Sequence, residues 1–336
     1  MNNLKTTYMG IELDNPIILG ACNMSSHLDV LKKAEEHGAA AIVFKSLFEE
    51  QIQLERLQLD EKLTEFNDIN AEMLTMHPNI EYLGYDEHLN NVRKAKENLS
   101  IPVIASLNAI HEETWIEYAQ LLSQAGIDGL ELNFYQIPSD FNKEGKDIEE
   151  EQIDIIKKIK QNISIPVSVK LSSEYSNILN FVKRLDQVGV DGVVLFNSFF
   201  QPNIDIMKEK HVKSIHFSKK GDFKQSLRYS GLLYENIHAD ICSSHGVSNG
   251  EEMIKLILSG SSCVQAVSTL YKNGLSYIDT MKKELEAWMD LKRYNSIDEF
   301  KGKLSNHKLS SSSFIYKRAQ YVDLLINSEN IFGDAR

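Results

Sequence analysis

Cysteine and long apolar runs are scarce in this chain of 336 residues. Its three cysteines, Cys22, Cys242 and Cys263, stand far apart and form no C-x-x-C pair, which argues against a disulfide framework, a zinc knuckle or an iron-sulfur cluster. No stretch approaches about 18 uncharged apolar residues, and the first ten residues lack the apolar core of a signal peptide. We therefore predict a cytoplasmic protein that is not inserted in a membrane.

Positive charge is also in deficit, because 36 Lys and Arg face 48 Asp and Glu, for a formal net charge of -12. Contacts to nucleic-acid phosphates need clustered basic residues, and here the basic residues alternate with acids. The histidines His77, His211, His216 and His245 show no metal-ligand spacing. The sequence therefore predicts neither a nucleic-acid partner nor a metal site.

Short apolar runs alternate with longer amphipathic segments along most of the chain. The longer segments have apolar residues at the i, i+3, i+4 spacing of helices, and the short runs are typical of buried strands. The predicted strands are 17–21, 41–45, 102–106, 129–133, 166–170, 192–197, 240–243 and 263–267. Eight such strand and helix units predict an α/β protein of the TIM (β/α)8 barrel type.

Two segments do not fit the repeat. The stretch 49–86 is too long for an ordinary connection between strand and helix, so we predict a lid insertion after strand 2. The last helical pattern, 276–293, should complete the barrel, and the residues beyond it predict a C-terminal helical extension. The predicted domains are a barrel over 1–295 and an extension over 296–336, packed on the barrel or on a dimer partner.

Polar side chains stand where four of the predicted strands end, at Lys45, Asn133, Lys170 and Asn197. Strand ends of one direction meet at one rim of a barrel, which is where such folds place their active sites. A reduced flavin ring, which carries negative charge near N1 and O2, would meet the need of buried lysines for an anion, and asparagines suit amide and carbonyl edges. The alternatives are a lysine that only snorkels to solvent and an asparagine that only forms a turn.

The loops after strands 7 and 8 form the usual phosphate site of such barrels. Here they read SSHGVSNGEEMIKL and VSTLYKNG, with His245, Gly246, Ser268 and Thr269 at the expected places. Two ordinary helix-capping turns would look much the same.

Taken together, these strings resemble the class 1 dihydroorotate dehydrogenases and, more closely, the bacterial dihydroorotate dehydrogenase-like proteins. The matching strings are NPIILGAC at 15–22, FKS at 44–46, ELN at 131–133, VKL at 169–171, FNS at 196–198, HGVSNGEEMIKLILSG, VQAVSTL, YNSIDEFKGKL and YKRAQY. The resemblance implies a barrel that binds FMN and forms a homodimer, and the lysines and asparagines at the strand ends, with the phosphate loops, indicate a small planar or unsaturated substrate.

The resemblance also implies roles for individual residues. Lys170 would bond the N1/O2 edge of the flavin, and Lys45, Asn133 and Asn197 would also contact the substrate. The residues expected to contact the flavin ring or its surroundings are Ala21, Cys22, Lys45, Ser46, Asn108, Asn133, Lys170, Asn197 and Ser198. Those expected to hold the phosphate are His245, Gly246, Ser268 and Thr269.

The loop after strand 4 departs from the family pattern. Where the dehydrogenases have Asn-Leu-Ser-Cys-Pro-Asn, this chain reads NFYQIP over 133–138. The family's cysteine or serine takes a substrate proton, and the amide of Gln136 cannot, which argues against dihydroorotate as the substrate. Tyr135 and His77 are the candidates to move that proton instead.

Three functions follow as hypotheses. The first is an FMN-dependent oxidoreductase acting on CH-CH bonds. The second is a flavin-binding protein that has lost turnover and serves a binding or regulatory role. The third is a flavin-free lyase in which Lys45 or Lys170 forms a Schiff base with a phosphorylated carbonyl compound.

Overall fold

A closed barrel of eight parallel strands forms the centre of the computed structural model, which describes residues 2–50, 83–199, 201–212, 217–309 and 315–326. In chain order the strands are β1 (Thr6–Tyr8), β2 (Ile11–Leu13), β3 (Ile17–Leu19), β4 (Ala41–Val43), β5 (Leu47–Phe48), β6 (Val103–Asn108), β7 (Gly129–Phe134), β8 (Val167–Leu171), β9 (Gly192–Leu195), β10 (Asn203–Asp205), β11 (Lys210–Val212), β12 (Asp240–Ser243) and β13 (Cys263–Ala266).

The barrel runs β4-β3-β13-β12-β9-β8-β7-β6, and a pairing between β6 and β4 closes it. The predicted TIM barrel is therefore confirmed, and each of the eight predicted strands is present, although the ends differ. The strand predicted over 41–45 stops at Val43, and the one predicted over 102–106 continues to Asn108. The short β5 pairs with the end of β6, and β10 with β11 forms a separate hairpin.

Helices surround the barrel and alternate with its strands. They are α1 (Leu28–Glu36), α2 (Leu83–Asn98), α3 (Glu112–Gln124), α4 (Gly145–Asn162), α5 (Ile178–Gln187), α6 (Phe223–Leu233), α7 (Gly250–Ser259), α8 (Ser268–Asn273), α9 (Tyr277–Lys292) and α10 (Ala319–Ile326). The sequence analysis did not identify α2 and α6, because each helix follows a long connecting segment that interrupts the strand and helix repeat. Both nevertheless bury the apolar residues of one face, such as Leu89, Val92 and Ala95 in α2.

Side chains of the barrel strands alternate between two cores, as the two-residue period of a strand requires. The interior core includes Ile18, Ala41, Val43, Ile104 and Val194, whereas the core between strands and helices includes Ile17, Leu19, Ile42, Leu130 and Leu132. In β7 the apolar 130 and 132 therefore face the helices. The polar residues at 131 and 133 consequently face the barrel interior.

The amino-terminal hairpin of β1 and β2 closes one end of the barrel. A side chain added at Gly129, the first residue of β7, would lie 2.9 Å from Met9 Cε, and one at Gly192, the first residue of β9, would lie 2.9 Å from Tyr8 Cε2. These close contacts block the end at which the strands begin. The open mouth is therefore the opposite end, where the polar residues follow the strands.

Residues 296–309 pack on the outside of the barrel. Phe300 is fully buried and lies 4.9 Å from the ring of Trp288, while Gly302 N donates to Ile257 O at 2.9 Å and Leu304 N donates to Leu258 O at 2.8 Å. The helix α10 further along has no buried residue. The domain division at 295/296 stays a prediction.

Two predicted features fall largely outside the described residues. They are the lid insertion, of which only the ends are described, and the proton-transfer candidate His77. Within the described ranges, none of the helices combines the length and the apolar character needed to cross a membrane.

Candidate active site

Lys170, on β8, is buried inside the barrel and bonded on two sides. Its Nζ lies 3.1 Å from Glu131 Oε1 on β7 and 2.6 Å from Gln265 Oε1 on β13, while Gln265 Nε2 donates to Glu131 Oε2 at 2.5 Å. The exposed fractions of the three residues are 6%, 1% and 2%. Lys170 therefore does not snorkel to solvent, and its charge is compensated inside the barrel by Glu131.

Lys45 occupies a different position from Lys170. It is half-buried and lies two residues beyond the end of β4, in the bend that leads to β5. The prediction that it closes its strand is therefore wrong, because the chain leaves the β4 ladder after Val43 and pairs again at Leu47 with β6. Lys45 nevertheless stands at the same rim as the end of β8.

A chain of hydroxyls links the β4–β5 bend to the buried carboxylate. Ser46 Oγ lies 2.7 Å from Ser106 Oγ on β6, and Ser106 Oγ donates to Glu131 Oε1 at 3.4 Å. Both serines are buried. The predicted residue Ser46 is thus connected to the Lys170 cluster through side chains that the sequence reading did not single out.

The three predicted asparagines meet in one cluster at the mouth. Asn108 Nδ2 donates to the backbone carbonyl of Asn133 at 2.7 Å, and Asn197 Nδ2 donates to Asn133 Oδ1 at 2.9 Å. Asn133 is the register partner of Lys170 on the neighbouring strand. Among the described residues, Asn133 Nδ2 and Asn197 Oδ1 have no hydrogen-bond partner, so one donor and one acceptor of this cluster can bond to a ligand.

Two aromatic rings flank the asparagine cluster. Tyr135 N donates to Asn133 O at 2.8 Å, which turns the chain sharply after β7, and the Tyr135 ring meets the Phe199 ring edge to face at 4.7 Å and 87°. Ser198, another predicted site residue, is exposed between Asn197 and Phe199. The next loop residue, Gln136, is exposed and accepts from Gln152 Nε2 at 3.4 Å.

Ala21 and Cys22 lie on the loop after β3, at the same rim and half-buried. Cys22 N donates a hydrogen bond to Ser25 Oγ at 3.1 Å. A side chain added at Gly20 would lie 2.8 Å from Val267 Cγ2. The loops after the first and last barrel strands are therefore in direct contact.

Two of the residues predicted to hold a phosphate, His245 and Ser268, are linked by a serine that the sequence analysis did not identify. Ser218 Oγ lies 3.3 Å from both His245 Nδ1 and Ser268 Oγ, and Ser218 N donates to Ser268 Oγ at 3.3 Å. Lys272 Nζ donates to Ser218 O at 2.7 Å. The long excursion after β9 thus returns across the loops that follow β12 and β13.

Backbone N-H groups without an acceptor lie on the two loops that follow β12 and β13. Within the described part of the chain, the backbone N-H groups of His245, Gly246, Val247, Ser268 and Thr269 have no hydrogen-bond acceptor. The Thr269 side chain is used differently, because its Oγ1 donates to Ser248 O at 2.8 Å and so ties the two loops together. Unpaired N-H groups from adjacent loops are able to bind an anion, and we call this set of groups the anion cradle.

Burial makes His245 a neutral contributor to this cradle. Desolvation lowers the pKa of its imidazole, and the carboxylate of Asp222, 3.7 Å from Nε2, only partly opposes that shift. A neutral imidazole can donate from one nitrogen and accept at the other. His245 therefore adds a hydrogen-bonding group to the cradle without adding a fixed charge.

The buried carboxylate of Glu49 holds the loop after β6 in place at the mouth of the barrel. Glu49 accepts from Ile110 N at 2.7 Å and from His111 N at 3.1 Å, and its Oε1 lies 2.7 Å from His111 Nδ1. Burial alone would raise the pKa of Glu49, but these hydrogen bonds outweigh it and lower that pKa, while the bond to Glu49 raises the pKa of His111. The pair fixes the position of the loop.

His88, on α2, gives the folded protein a specific sensitivity to acid. Its ring packs edge-on against Phe44 at 5.3 Å, its Nε2 is buried without a partner among the described residues, and burial followed by the charge of Lys45 lowers its pKa to about 4. Between pH 6.5 and 4 the His88 imidazole is therefore protonated in the unfolded chain and neutral in the folded chain. Stability present at neutral pH is lost as the pH falls through this window, by up to about 3 kcal/mol.

Urea unfolding at pH 7 and at pH 4.5 measures this loss. His88→Phe keeps the ring contact and should lose less stability between the two pH values than the native chain, by about 2 kcal/mol. The exposed His211 supplies the matched control, and His211→Phe should behave as the native chain does. Equal acid sensitivity in all three proteins would contradict the buried neutral state of His88.

Several residues of the cluster were missed by the sequence reading, although a signal was present. Glu131 and Gln265 are polar residues inside otherwise apolar strands, and Glu131 lies two positions before Asn133 and therefore on the same face. The two-residue period of a strand would have placed it in the barrel interior. Ser218 carried no such signal, because it lies in a long connection.

Known proteins similar to this chain include several dihydroorotate dehydrogenases. A sequence model of the family described as "Dihydroorotate dehydrogenase" matches residues 3–289. "Dihydroorotate dehydrogenase B (NAD(+)), catalytic subunit" of Thermoplasma volcanium is 30% identical over 316 residues, covering 90% of this chain and 98% of the relative. The protein of the same description from Methanocaldococcus jannaschii is 27% identical over 300 residues, covering 85% and 93%.

A relative of different description is also similar. "NAD-dependent dihydropyrimidine dehydrogenase subunit PreA" of Escherichia coli K12 is 22% identical over 343 residues, covering 94% of this chain and 81% of the relative. The family match spans the whole barrel, from the hairpin of β1 and β2 to α9. The chain belongs to the dihydroorotate dehydrogenase family, a family of oxidoreductases.

Proposed function

We propose that this protein is an FMN-dependent oxidoreductase that acts on a carbon-carbon bond of a small planar or unsaturated compound. The observation that carries the proposal is the placement of two features at one rim: a buried lysine on β8, and an anion cradle built from the loops after β12 and β13. Family membership favours this function over a flavin-free lyase.

The residues at the rim fit a flavin mononucleotide. The free N-H groups of the cradle and the hydroxyls of Ser218 and Ser268 match the acceptor oxygens of a phosphate. Lys170 would hold the N1/O2 edge of the ring, since its charge stabilises the negative charge that develops there. Bound FMN would supply two-electron chemistry at the substrate. Lys45, Ser46 and Asn108 would line the ring, with Ala21 and Cys22 approaching it through backbone.

The cradle predicts a preference for FMN over riboflavin, which lacks the phosphate. Charge-assisted hydrogen bonds contribute about 1.5–3 kcal/mol each, so even two net bonds predict affinity for FMN on the order of 100-fold higher. Titration of the flavin-free protein with each compound, followed by quenching of flavin fluorescence, measures the ratio. Equal affinities would contradict the cradle, and failure to bind either flavin would contradict the proposed function.

The substrate is proposed to be something other than dihydroorotate. Gln136 occupies the place of the family's proton acceptor, is exposed and has its Oε1 engaged by Gln152. Its amide cannot take a proton from a substrate carbon at neutral pH. Mixing the FMN-loaded protein with dihydroorotate under anaerobic conditions should leave the flavin absorbance unchanged, and bleaching would show that dihydroorotate is a substrate after all.

The presence of Gln136 in place of the family's cysteine or serine also favours a second candidate, a flavin-binding protein that has lost turnover and serves a binding or regulatory role. Turnover of any donor and acceptor pair faster than free FMN supports would exclude it.

For either candidate we expect a homodimer in the cytoplasm. Exposed apolar residues on and beside the β10–β11 hairpin, Ile204, Ile206 and Met207, support an interface, and a mass of one chain, 38.3 kDa, by light scattering would contradict the dimer.

A further inference from the structure

Glu131 lies deeper in the barrel than Lys170, the residue with which it forms a buried ion pair. In the pairing of β7 with β8, Glu131 is the register partner of Ser168, two residues before Lys170, whereas Asn133 is the partner of Lys170 itself. The parallel strands run towards the open mouth, so each step back along β8 leads away from it. A ligand at the mouth would therefore meet the ammonium group first, with the carboxylate behind it.

Two acceptors inside the barrel fix the direction in which Lys170 can donate. Its Nζ lies 3.1 Å from Glu131 Oε1 and 2.6 Å from Gln265 Oε1, and the described part of the chain offers no further hydrogen-bond acceptor to it. An ammonium group carries three N-H donors. One donor is therefore left for a ligand, and the bonds to Glu131 and Gln265 determine where it points.

The Glu131 carboxylate is itself held in place and shielded from water. Besides the bond from Lys170, it accepts from Gln265 Nε2 at 2.5 Å and from Ser106 Oγ at 3.4 Å. Glu131 is only 1% exposed. In such surroundings of low dielectric constant a charge is screened much less than it would be in water. The carboxylate should therefore still act electrostatically on a ligand that contacts Lys170.

The two charges have opposite effects on the reduction of a flavin bound at this rim. Two electrons from a reductant and one proton from water leave the ring with one negative charge near N1 and O2, which an ammonium group stabilises and a carboxylate behind it destabilises. We infer that Glu131 is a positioning residue for Lys170 and that it lowers the reduction potential of the bound flavin below the value that Lys170 alone would set. This inference rests on the proposed FMN function and adds to it the residue that makes the reduced flavin a stronger electron donor.

Four proteins present the two charges in every combination. The native chain has both charges, Glu131→Gln keeps only the positive one, Lys170→Met keeps only the negative one, and the double variant has neither. The midpoint potential of bound FMN should decrease in the order Glu131→Gln, native chain, double variant, Lys170→Met. A purely structural role of Glu131 would not produce this order, because the double variant and Lys170→Met differ only in the carboxylate.

We expect Glu131→Gln to favour reduced over oxidised FMN about tenfold more strongly than the native chain does, which raises the midpoint potential by about 30 mV for a two-electron couple. The double variant should exceed Lys170→Met by a similar factor. This second comparison stands even if Glu131→Gln fails to fold with an uncompensated ammonium group, since the double variant contains neither charge.

The potentials are measured at pH 7 on the FMN-loaded proteins, by slow anaerobic reduction with xanthine and xanthine oxidase beside a reference dye of known potential. Ser106→Ala is the matched control, because it removes a hydrogen bond to the same carboxylate and changes no charge. Its preference for reduced FMN should stay within about threefold of the native value, since a hydrogen bond from a neutral group contributes little.

Three outcomes would overturn the inference. They are a midpoint potential of Glu131→Gln at or below the native one, equal potentials of Lys170→Met and the double variant, and a shift in Ser106→Ala as large as that in Glu131→Gln. Failure of the native protein to bind FMN would instead contradict the proposed function, so the two failures are distinguishable.

Discussion

Lys170→Met should lower the free energy of unfolding of the flavin-free protein by about 3–5 kcal/mol, which is the usual cost of breaking a buried ion pair. Lys170 and Glu131 are 6% and 1% exposed. Removal of the ammonium group leaves the Glu131 carboxylate inside the barrel without a compensating positive charge. Urea unfolding at pH 7 measures the loss.

Two further variants identify the uncompensated carboxylate as the cause. The double variant Lys170→Met with Glu131→Gln carries no buried charge and should recover most of the loss, to within about 1 kcal/mol. Lys160→Met removes a lysine whose Nζ lies 2.6 Å from Asp191 Oδ2 at the surface, and it should cost about 1 kcal/mol at most. If Lys170→Met cost no more than Lys160→Met, the buried pair would not have the stabilising role described here.

Gly246→Ala should abolish the preference for FMN and also destabilise the protein. Gly246 has a φ of 86°, a conformation that residues with a side chain adopt at a cost of about 1–3 kcal/mol. An added Cβ would also lie 2.3 Å from Phe223 N, which is backbone and cannot turn aside. The loop must therefore move, and its free N-H groups move with it.

The expected result is that FMN binds to Gly246→Ala no more tightly than riboflavin binds to the native protein. Gly274→Ala is the matched control, because Gly274 has a φ of 81° but nothing lies within 4 Å of an added Cβ. It should lose about 1–3 kcal/mol of stability from the backbone conformation alone and keep its preference for FMN. Native FMN affinity in Gly246→Ala would show that the loop after β12 does not hold the phosphate.

The eight-unit repeat could be predicted from the sequence because each strand is a short apolar run and the helices show apolar residues at the i, i+3, i+4 spacing. Strand ends were less certain, since they depend on the partner strand. β4 ends at Val43 because the chain bends there, whereas β6 extends to Asn108 because β5 pairs with its last residues. The helices α2 and α6 were not predicted, because the long connecting segments before them interrupt the alternation of strands and helices.

The polar residues at the rim were predictable one by one, but their partners were not. Asn133 and Lys170 stand at strand ends that any parallel barrel brings to one rim. The bonds of Lys170 to Glu131 and Gln265 join residues 39 and 95 positions apart, and Ser218 reaches His245 and Ser268 from a long connection. Such contacts depend on how the barrel closes and how the excursions return, which no local pattern encodes.

By itself, the sequence determined the barrel, the rim at which its polar residues gather, and the presence of Gln136 where the family resemblance predicts a proton acceptor, because these follow from local periods and from residue identity. Only the tertiary structure decided that Lys170 is neutralised by Glu131 and that Asn133 pairs with Asn197. It also placed Cys242 beside Cys263 as register partners on neighbouring strands. The physical reason is that ring closure brings distant strands side by side and thereby fixes which buried groups must compensate one another.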